Sequence, residues 1–263
     1  MQNYCLNKGV ERLKQFEIAE FEEWYYDKLI YYNDYPNIDY WKTLPHTYHE
    51  ASDVPLKKVI GTNHINYANN TWLENLGCLK RFSSYYTREY STKYFDSEDR
   101  KPTNSYAKFG DDYIITEGNH RTHSAKFLGY ESIKGHVTEY FFDHELFNSV
   151  NDYKKEKLSL TIPDNIYSEA IWNLEIENIQ IYIHGYKMLK SFIQLYKDTP
   201  PSWYKSKKLQ LNHSLKLSNT EDYVHIKNQE DLSKPIFKLL PAFKYNKLIA
   251  DNQLLFKQIK IYL

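Results

Sequence analysis

One segment of the chain, residues 112–129, constrains the fold because it encodes a strand, a sharp turn and a short helix in immediate succession. Tyr113 is followed by three β-branched residues, Ile114, Ile115 and Thr116, a run that is typical of a strand. Gly118 permits a change of direction that a side chain would hinder. Asn119 is a favourable N-cap, and Gly129 lies where helices commonly end. The sequence therefore predicts a helix that starts directly after the end of a strand.

The N-terminal end of this predicted helix favours an anion. The first amide N–H groups of a helix lack partners within the helix, and the helix dipole is positive at that end. His120 and Arg121 stand at the same end. A guanidinium pairs with phosphate oxygens in a fixed geometry, and an imidazole donates a further hydrogen bond. We therefore expect residues 118–121 to form a phosphate-binding turn.

Residues 113–129, continued by residues 133–140, resemble the core motif of the ParB/sulfiredoxin-like superfamily. In that superfamily a strand leads into an acid-Gly-X-His-Arg turn and then into a small helix with a Leu-Gly end. This chain has Glu-Gly-Asn-His-Arg at residues 117–121, and residues 54–62 are similar to the opening strand of such domains. The resemblance implies an α+β fold with a mixed sheet and short helices, and a nucleotide phosphate site at the turn.

The resemblance also implies the ligands and the chemistry of the site. A nucleoside triphosphate, ATP or CTP, is expected at Gly118, Asn119, His120 and Arg121, with Mg²⁺ held by Glu117. Sulfiredoxins carry their reactive cysteine at the position of Asn119, and an asparagine cannot replace it as a nucleophile. What stays open is phosphoryl transfer or nucleotide hydrolysis without a covalent intermediate, or nucleotide binding as a switch. Glu117 and His120 are the candidate catalytic residues.

Four further residues are candidates for contact with the nucleotide. Thr122 and Ser124 lie in the first turns of the helix, where their hydroxyls can reach a bound anion or bond within the protein. Gly61 and Thr62 follow a predicted strand over residues 55–60, where related domains approach the nucleotide. A plain turn after the strand is the simpler explanation of these two residues.

The motif also permits a purely structural explanation. Arg121 can cap a neighbouring carbonyl, and Glu117 can pair with it in an exposed bridge of little energetic consequence. His123 is expected to be solvated or hydrogen-bonded rather than to bind a metal, because no third ligand is evident beside it and His120. Lys126 is expected to be a surface charge.

Charge and composition limit the classes of partner. With 34 basic and 34 acidic residues, the chain has no overall attraction to nucleic acid or to a membrane, so any DNA contact must be local. No apolar run approaches the length of a membrane span. Cys5 and Cys78 do not make a disulfide framework, and we expect a reduced, cytoplasmic protein. The 26 tyrosines fit an AT-rich bacterial or phage genome.

The resemblance implies three parts of the chain: an N-terminal helical segment and loop, a ParB/sulfiredoxin-like domain, and a C-terminal α+β extension. The two strands that flank the motif helix are expected to pair in parallel through a right-handed crossover. In chain order these parts are residues 1–50, 51–145 and 146–263. Apolar periodicity and turn residues predict the other elements: a helix at 8–33, a loop at 33–52, a strand at 179–183, a helix at 186–197, a hairpin at 209–217 and a helix at 243–263.

Three functions follow from these features. The first is an NTP-dependent, magnesium-using enzyme that acts on a second substrate, either a small molecule or a protein. The second is a nucleotide-gated DNA-binding or nuclease module, which is less favoured because residues 146–263 show no basic recognition helix. The third is a non-catalytic interaction protein of phage or bacterial defence.

Overall fold

The computed structural model describes residues 2–18, 22–80, 95, 103–154, 158–161, 171–176, 179–202 and 223–233, and several single residues between 237 and 249. The chain divides into two compact units, Met1–Phe142 and Asp143–Leu263. Both contain a sheet and helices, and the sheet of the first unit is mixed. The predicted α+β fold is therefore confirmed, while the more specific ParB/sulfiredoxin-like assignment stays a prediction.

The first unit is built on a six-stranded sheet. Its order is β1-β3-β5-β4-β6-β2, with β1–β3, β3–β5 and β4–β6 parallel and with β5–β4 and β6–β2 antiparallel. The predicted boundary at residue 50 falls inside β2. The strands are β1 (Ile30–Tyr31), β2 (His46–Pro55), β3 (Val59–Thr62), β4 (Ser105–Phe109), β5 (Asp112–Glu117) and β6 (Ser132–Tyr140).

The described helices of this unit are α1 (Gln2–Gln15), α2 (Ile38–Trp41), α3 (Trp72–Cys78) and α4 (Asn119–Phe127). Helices α1 and α3 approach each other so closely that a Cβ at Gly77 would overlap the backbone carbonyl of Cys5. The Arg12 guanidinium is buried at this contact, where it donates hydrogen bonds to the carbonyls of Leu76 and Leu79. These carbonyls lie at the end of α3, where a helix has no internal donors for them.

Four local predictions about the first unit are wrong. The loop expected at 33–52 contains helix α2 and most of strand β2. Helix α1 ends at Gln15 instead of continuing through residue 33, because the backbone turns at Glu17 with φ of 54° and residues 23–31 form a 3-10 turn and then β1. The strand expected at 55–60 lies at Val59–Thr62 after another 3-10 turn. Cys5 and Cys78 are joined in a disulfide that links α1 to α3, contrary to the expected free thiols.

The pairing expected around the motif is also wrong. Strands β5 and β6 are not neighbours, because β4 lies between them, antiparallel to β5 and parallel to β6. β5 and β6 therefore run in opposite directions. A tight turn containing Gly110, with φ of 62°, joins β4 to β5 and places the two strands side by side before the helix begins.

The second unit contains a four-stranded sheet and two described helices. Its order is β10-β9-β8-β7, with β9–β10 parallel and the other pairs antiparallel. The strand expected at 179–183 and the helix expected at 186–197 are confirmed, and Leu189, Phe192 and Ile193 form the buried stripe of that helix. The hairpin expected at 209–217 lies outside the described residues, as does most of the helix expected at 243–263. The elements are α5 (His144–Lys154), β7 (Leu158–Thr161), β8 (Ile171–Ile176), β9 (Ile179–His184), α6 (Gly185–Asp198) and β10 (Tyr223–Ile226).

Candidate functional site

A pocket of about 380 Å³ lies in front of the N-terminus of α4, at the end of β5. Helix geometry directs the first amide N–H groups of α4 out of the helix end toward this space. All five residues of the Glu-Gly-Asn-His-Arg motif line it, and the motif thus surrounds a space large enough for a small ligand. The remaining lining residues are His64, Tyr67 and Thr116.

The turn into α4 depends on Gly118, which has φ of 89° and ψ of 28° and occupies the N-cap position. Asn119 was expected at the N-cap but is the first residue of the helix. Its buried side chain accepts a hydrogen bond of 2.8 Å from Thr62 Oγ1, and that hydroxyl also accepts from the amide of His64 at 3.1 Å. Asn119 therefore fastens the motif turn to the end of β3.

Arg121 is held at the edge of the pocket by two contacts with the segment that leads into β4. Its Nε donates to Asn104 Oδ1 at 2.7 Å, and its Nη2 donates to the carbonyl of Thr103 at 2.8 Å. The partners in these two contacts are neutral, an amide and a backbone carbonyl. The guanidinium is held in place while it remains partly exposed to the pocket.

His120 lies beside Tyr67 in the wall of the pocket. Its Nε2 is 3.0 Å from the Tyr67 hydroxyl, and the two rings meet edge to face with centroids 5.9 Å apart. Burial raises the pKa of Tyr67, so this hydroxyl stays protonated at neutral pH. The His120 ring and the neutral Tyr67 phenol thus form part of the pocket wall, while His120 Nδ1 is buried.

Glu117 is the last residue of β5 and is exposed at the rim of the pocket. Within the part of the chain that the structure describes, no group of three or more histidine, cysteine, aspartate or glutamate side chains forms a metal site. A cation bound at Glu117 would therefore need further oxygen ligands from water or from a bound phosphate, as Mg²⁺ commonly has.

Four of the sequence candidates lie away from the pocket lining. Gly61 is at the β1 contact, where a Cβ would overlap the carbonyl of Ile30, and Thr62 is fully buried. The Thr122 hydroxyl is 2.7 Å from the Tyr106 hydroxyl and donates to the carbonyl of Gly118. Ser124 Oγ donates to the carbonyl of His120 at 2.8 Å. These hydroxyls bond to residues of the motif within the protein, on the side away from the pocket lining.

His123 is hydrogen-bonded, as expected, but it belongs to the core and not to the pocket. It is fully buried, its Nδ1 lies 2.7 Å from the carbonyl of Asn119, and its ring is 4.5 Å from that of Trp72. A carbonyl only accepts hydrogen bonds, so Nδ1 carries the proton. Burial lowers the pKa of His123 to about 3 and keeps the imidazole neutral.

Sequence reasoning missed Asn104 and Tyr67, whereas His64 belongs to the turn after the predicted strand at 55–60, where related domains approach the nucleotide. Tyr67 and His64 reach the pocket from the loop between β3 and α3, with ring centroids 4.6 Å apart, and Asn104 reaches Arg121 from the start of β4. No spacing along the chain joins these residues to the motif. The alternation of residues 105–109 followed by Gly110 is the one local signal that could have revealed β4.

Comparison with known proteins gives no match. No protein-family model matches the chain, and it is not significantly similar to any curated protein or solved structure. Among the described helices, none combines the length and apolar character needed to cross a membrane.

Proposed function

We propose that the pocket in front of α4 binds the phosphate groups of a nucleoside triphosphate, ATP or CTP, and that the protein uses it with Mg²⁺ for phosphoryl transfer or nucleotide hydrolysis. The observation that carries this proposal is the convergence of three kinds of phosphate-binding group on one open pocket. These are the first amides of α4, the fixed guanidinium of Arg121 and the imidazole of His120.

In this proposal Arg121 and Glu117 have different roles. Arg121 attracts phosphate oxygens directly, whereas the Glu117 carboxylate repels them unless a cation lies between. Mg²⁺ at Glu117 would neutralise the developing charge of phosphoryl transfer, and the same carboxylate can orient an attacking hydroxyl or water. His120, fixed by Tyr67, is the second candidate catalytic residue.

Calorimetric titration with a panel of nucleoside triphosphates, with and without Mg²⁺, tests the proposal. Arg121→Ala should weaken binding by about 10- to 100-fold, the loss of one charge-assisted interaction of about 1.5–3 kcal/mol. Glu117→Gln should strengthen binding without Mg²⁺ and weaken it with Mg²⁺, because the carboxylate repels phosphate in one case and holds the cation in the other. Lys134→Ala, at an exposed lysine of β6 outside the pocket lining, is the control for general loss of positive charge.

Failure of the folded wild-type protein to bind any of these nucleotides would refute the proposal. Binding without turnover would favour a nucleotide switch, and a phosphate-release assay separates the two. Degradation of plasmid DNA in the presence of Mg²⁺, abolished by Glu117→Gln, would instead favour the nuclease.

A further inference from the structure

A second and larger pocket, of about 880 Å³, lies at the other end of α4 and shares no lining residue with the motif pocket. Trp24, Trp72 and Tyr130 supply aromatic rings to its walls. Charged side chains of Asp27, Lys28, Lys57, Lys126 and Glu131 also line it, and the remainder is mostly aliphatic: Ile30, Pro55, Leu56, Val59 and Ile60.

Lys126, expected to be a surface charge, lies in this pocket against two indoles. Its Nζ is 4.0 Å from the centroid of the Trp72 ring and 4.7 Å from that of Trp24. The two indoles are themselves nearly perpendicular, with centroids 6.0 Å apart. Within the described part of the chain, the Lys126 amine makes no hydrogen bond or ion pair, and its half-buried side chain exchanges part of its water for aromatic carbon.

We propose that Lys126 is the nucleophile of a second site, which forms an imine with a small aldehyde or ketone that has a flat apolar body and an anionic group. The apolar walls suit the body of such a compound, and the exposed side chains of Lys28 and Lys57 suit its anionic group. A lysine shielded from water in an apolar pocket is a common way to make an amine nucleophilic.

Burial and a neighbouring charge change the pKa of Lys126 in opposite directions. Burial lowers its pKa to about 8, while the negative charge of Asp27 raises the pKa and offsets part of that effect. The indole faces also favour the ammonium. With a pKa of about 8, about one amine in ten is uncharged near pH 7, against about one in 2,500 for an ordinary lysine.

The chemistry needs no further reactant. The uncharged amine adds to the carbonyl carbon, so a C–N bond forms and the carbonyl oxygen becomes a hydroxyl. The first nitrogen proton has then moved to that oxygen, and the hydroxyl leaves as water with the second nitrogen proton, which yields the C=N bond of the imine. The carboxylates of Asp27 and Glu131, which line the same pocket, can accept and return the proton that moves from nitrogen to oxygen.

Reductive trapping tests this proposal on the intact wild-type chain. The protein is incubated with 4-carboxybenzaldehyde and cyanoborohydride, and the labelled lysines are identified by peptide mass spectrometry over time. We expect Lys126 to be labelled at least about tenfold faster than Lys28 and Lys57, since its larger uncharged fraction outweighs its narrower access. The rate at Lys126 should saturate with aldehyde concentration, because the compound first binds in the pocket.

Three controls make the result decisive. Benzaldehyde, which lacks the anionic group, should label Lys126 more slowly and saturate at a higher concentration. Lys126→Arg keeps the positive charge and should abolish the fast phase, whereas Lys134→Arg should leave it unchanged. Labelling of Lys126 at the rate of Lys28 and Lys57, a rate that rises linearly with aldehyde, or no labelling of Lys126 at all would each overturn the proposal. No nucleotide is present in this assay, so its outcome is independent of the proposed function of the motif pocket.

Discussion

Replacing Gly118 with alanine should destabilise the first unit by more than the same replacement at Gly129. The two glycines have nearly the same φ, 89° and 84°, and they flank the same helix. They differ in their surroundings, because a Cβ at Gly129 would meet nothing within 4 Å. A Cβ at Gly118 would overlap Asn104 Oδ1 and would lie 3.0 Å from Asn104 Cγ.

These contacts determine how much free energy of unfolding each variant is expected to lose. A side chain in the left-handed region costs about 1–2 kcal/mol, and this cost applies to both positions. At Gly118 the Asn104 amide must also move, which breaks its hydrogen bond with Arg121 Nε. A hydrogen bond to a charged group contributes about 1.5–3 kcal/mol, and partial exposure of Arg121 reduces this to about 1–2 kcal/mol. We expect a loss of about 3 kcal/mol for Gly118→Ala and about 1.5 kcal/mol for Gly129→Ala.

Native-state hydrogen exchange, read by mass spectrometry on the peptides of β4 and β5, measures the loss of stability in both variants. The slowest amides of these strands report the free energy of opening of the first unit alone. Asn104→Ala, which removes the overlapping amide, should bring the cost of Gly118→Ala close to that of Gly129→Ala in a double-mutant cycle. Equal losses for the two single variants would refute the reasoning, since they would show that Asn104 does not confine the turn.

Three further outcomes are expected. Arg12→Met should lower the free energy of unfolding by about 2–3 kcal/mol in urea titrations, because buried carbonyls at the end of α3 lose their donor, and a neutral result would contradict this role. Cys5→Ser should lower the free energy of unfolding by up to about 4 kcal/mol, since the disulfide closes a loop with a sequence separation of 73. A reducing agent should lower the melting temperature of the wild-type protein but not that of the variant. The free energy of unfolding should fall as the pH falls from 6.5 to about 3, because in this range His123 takes up a proton in the unfolded chain but not in the folded one. In acid titrations, His123→Phe should reduce the slope of this free energy against pH by up to about 1.4 kcal/mol per pH unit. An unchanged slope would argue against a buried neutral imidazole.

Local conformation was well predicted where it depends on neighbours in the sequence. Gly129 ends α4 as expected, with its amide bonded to the carbonyl of Lys126 and that of Tyr130 to the carbonyl of Ala125, the pattern of a Schellman motif. The strand–Gly118–helix turn and the amphipathic helix α6 were predictable for the same reason, because one turn of backbone and one buried stripe specify each of them. The α1 prediction failed because the apolar spacing continues past Glu17 into residues 23–26, a separate 3-10 turn that buries Tyr25.

The sequence by itself determined the turn after β5 and the cluster of amides, His120 and Arg121 at its end, since both follow from residues adjacent along the chain. The tertiary structure alone decided that β4 lies between β5 and β6, that Asn104 fixes Arg121, and that Lys126 is sheltered by indoles from two distant segments. The physical reason is that every strand offers the same backbone donors and acceptors at its edges. Long-range packing therefore selects the neighbours of each strand, and with them the partners of each polar side chain.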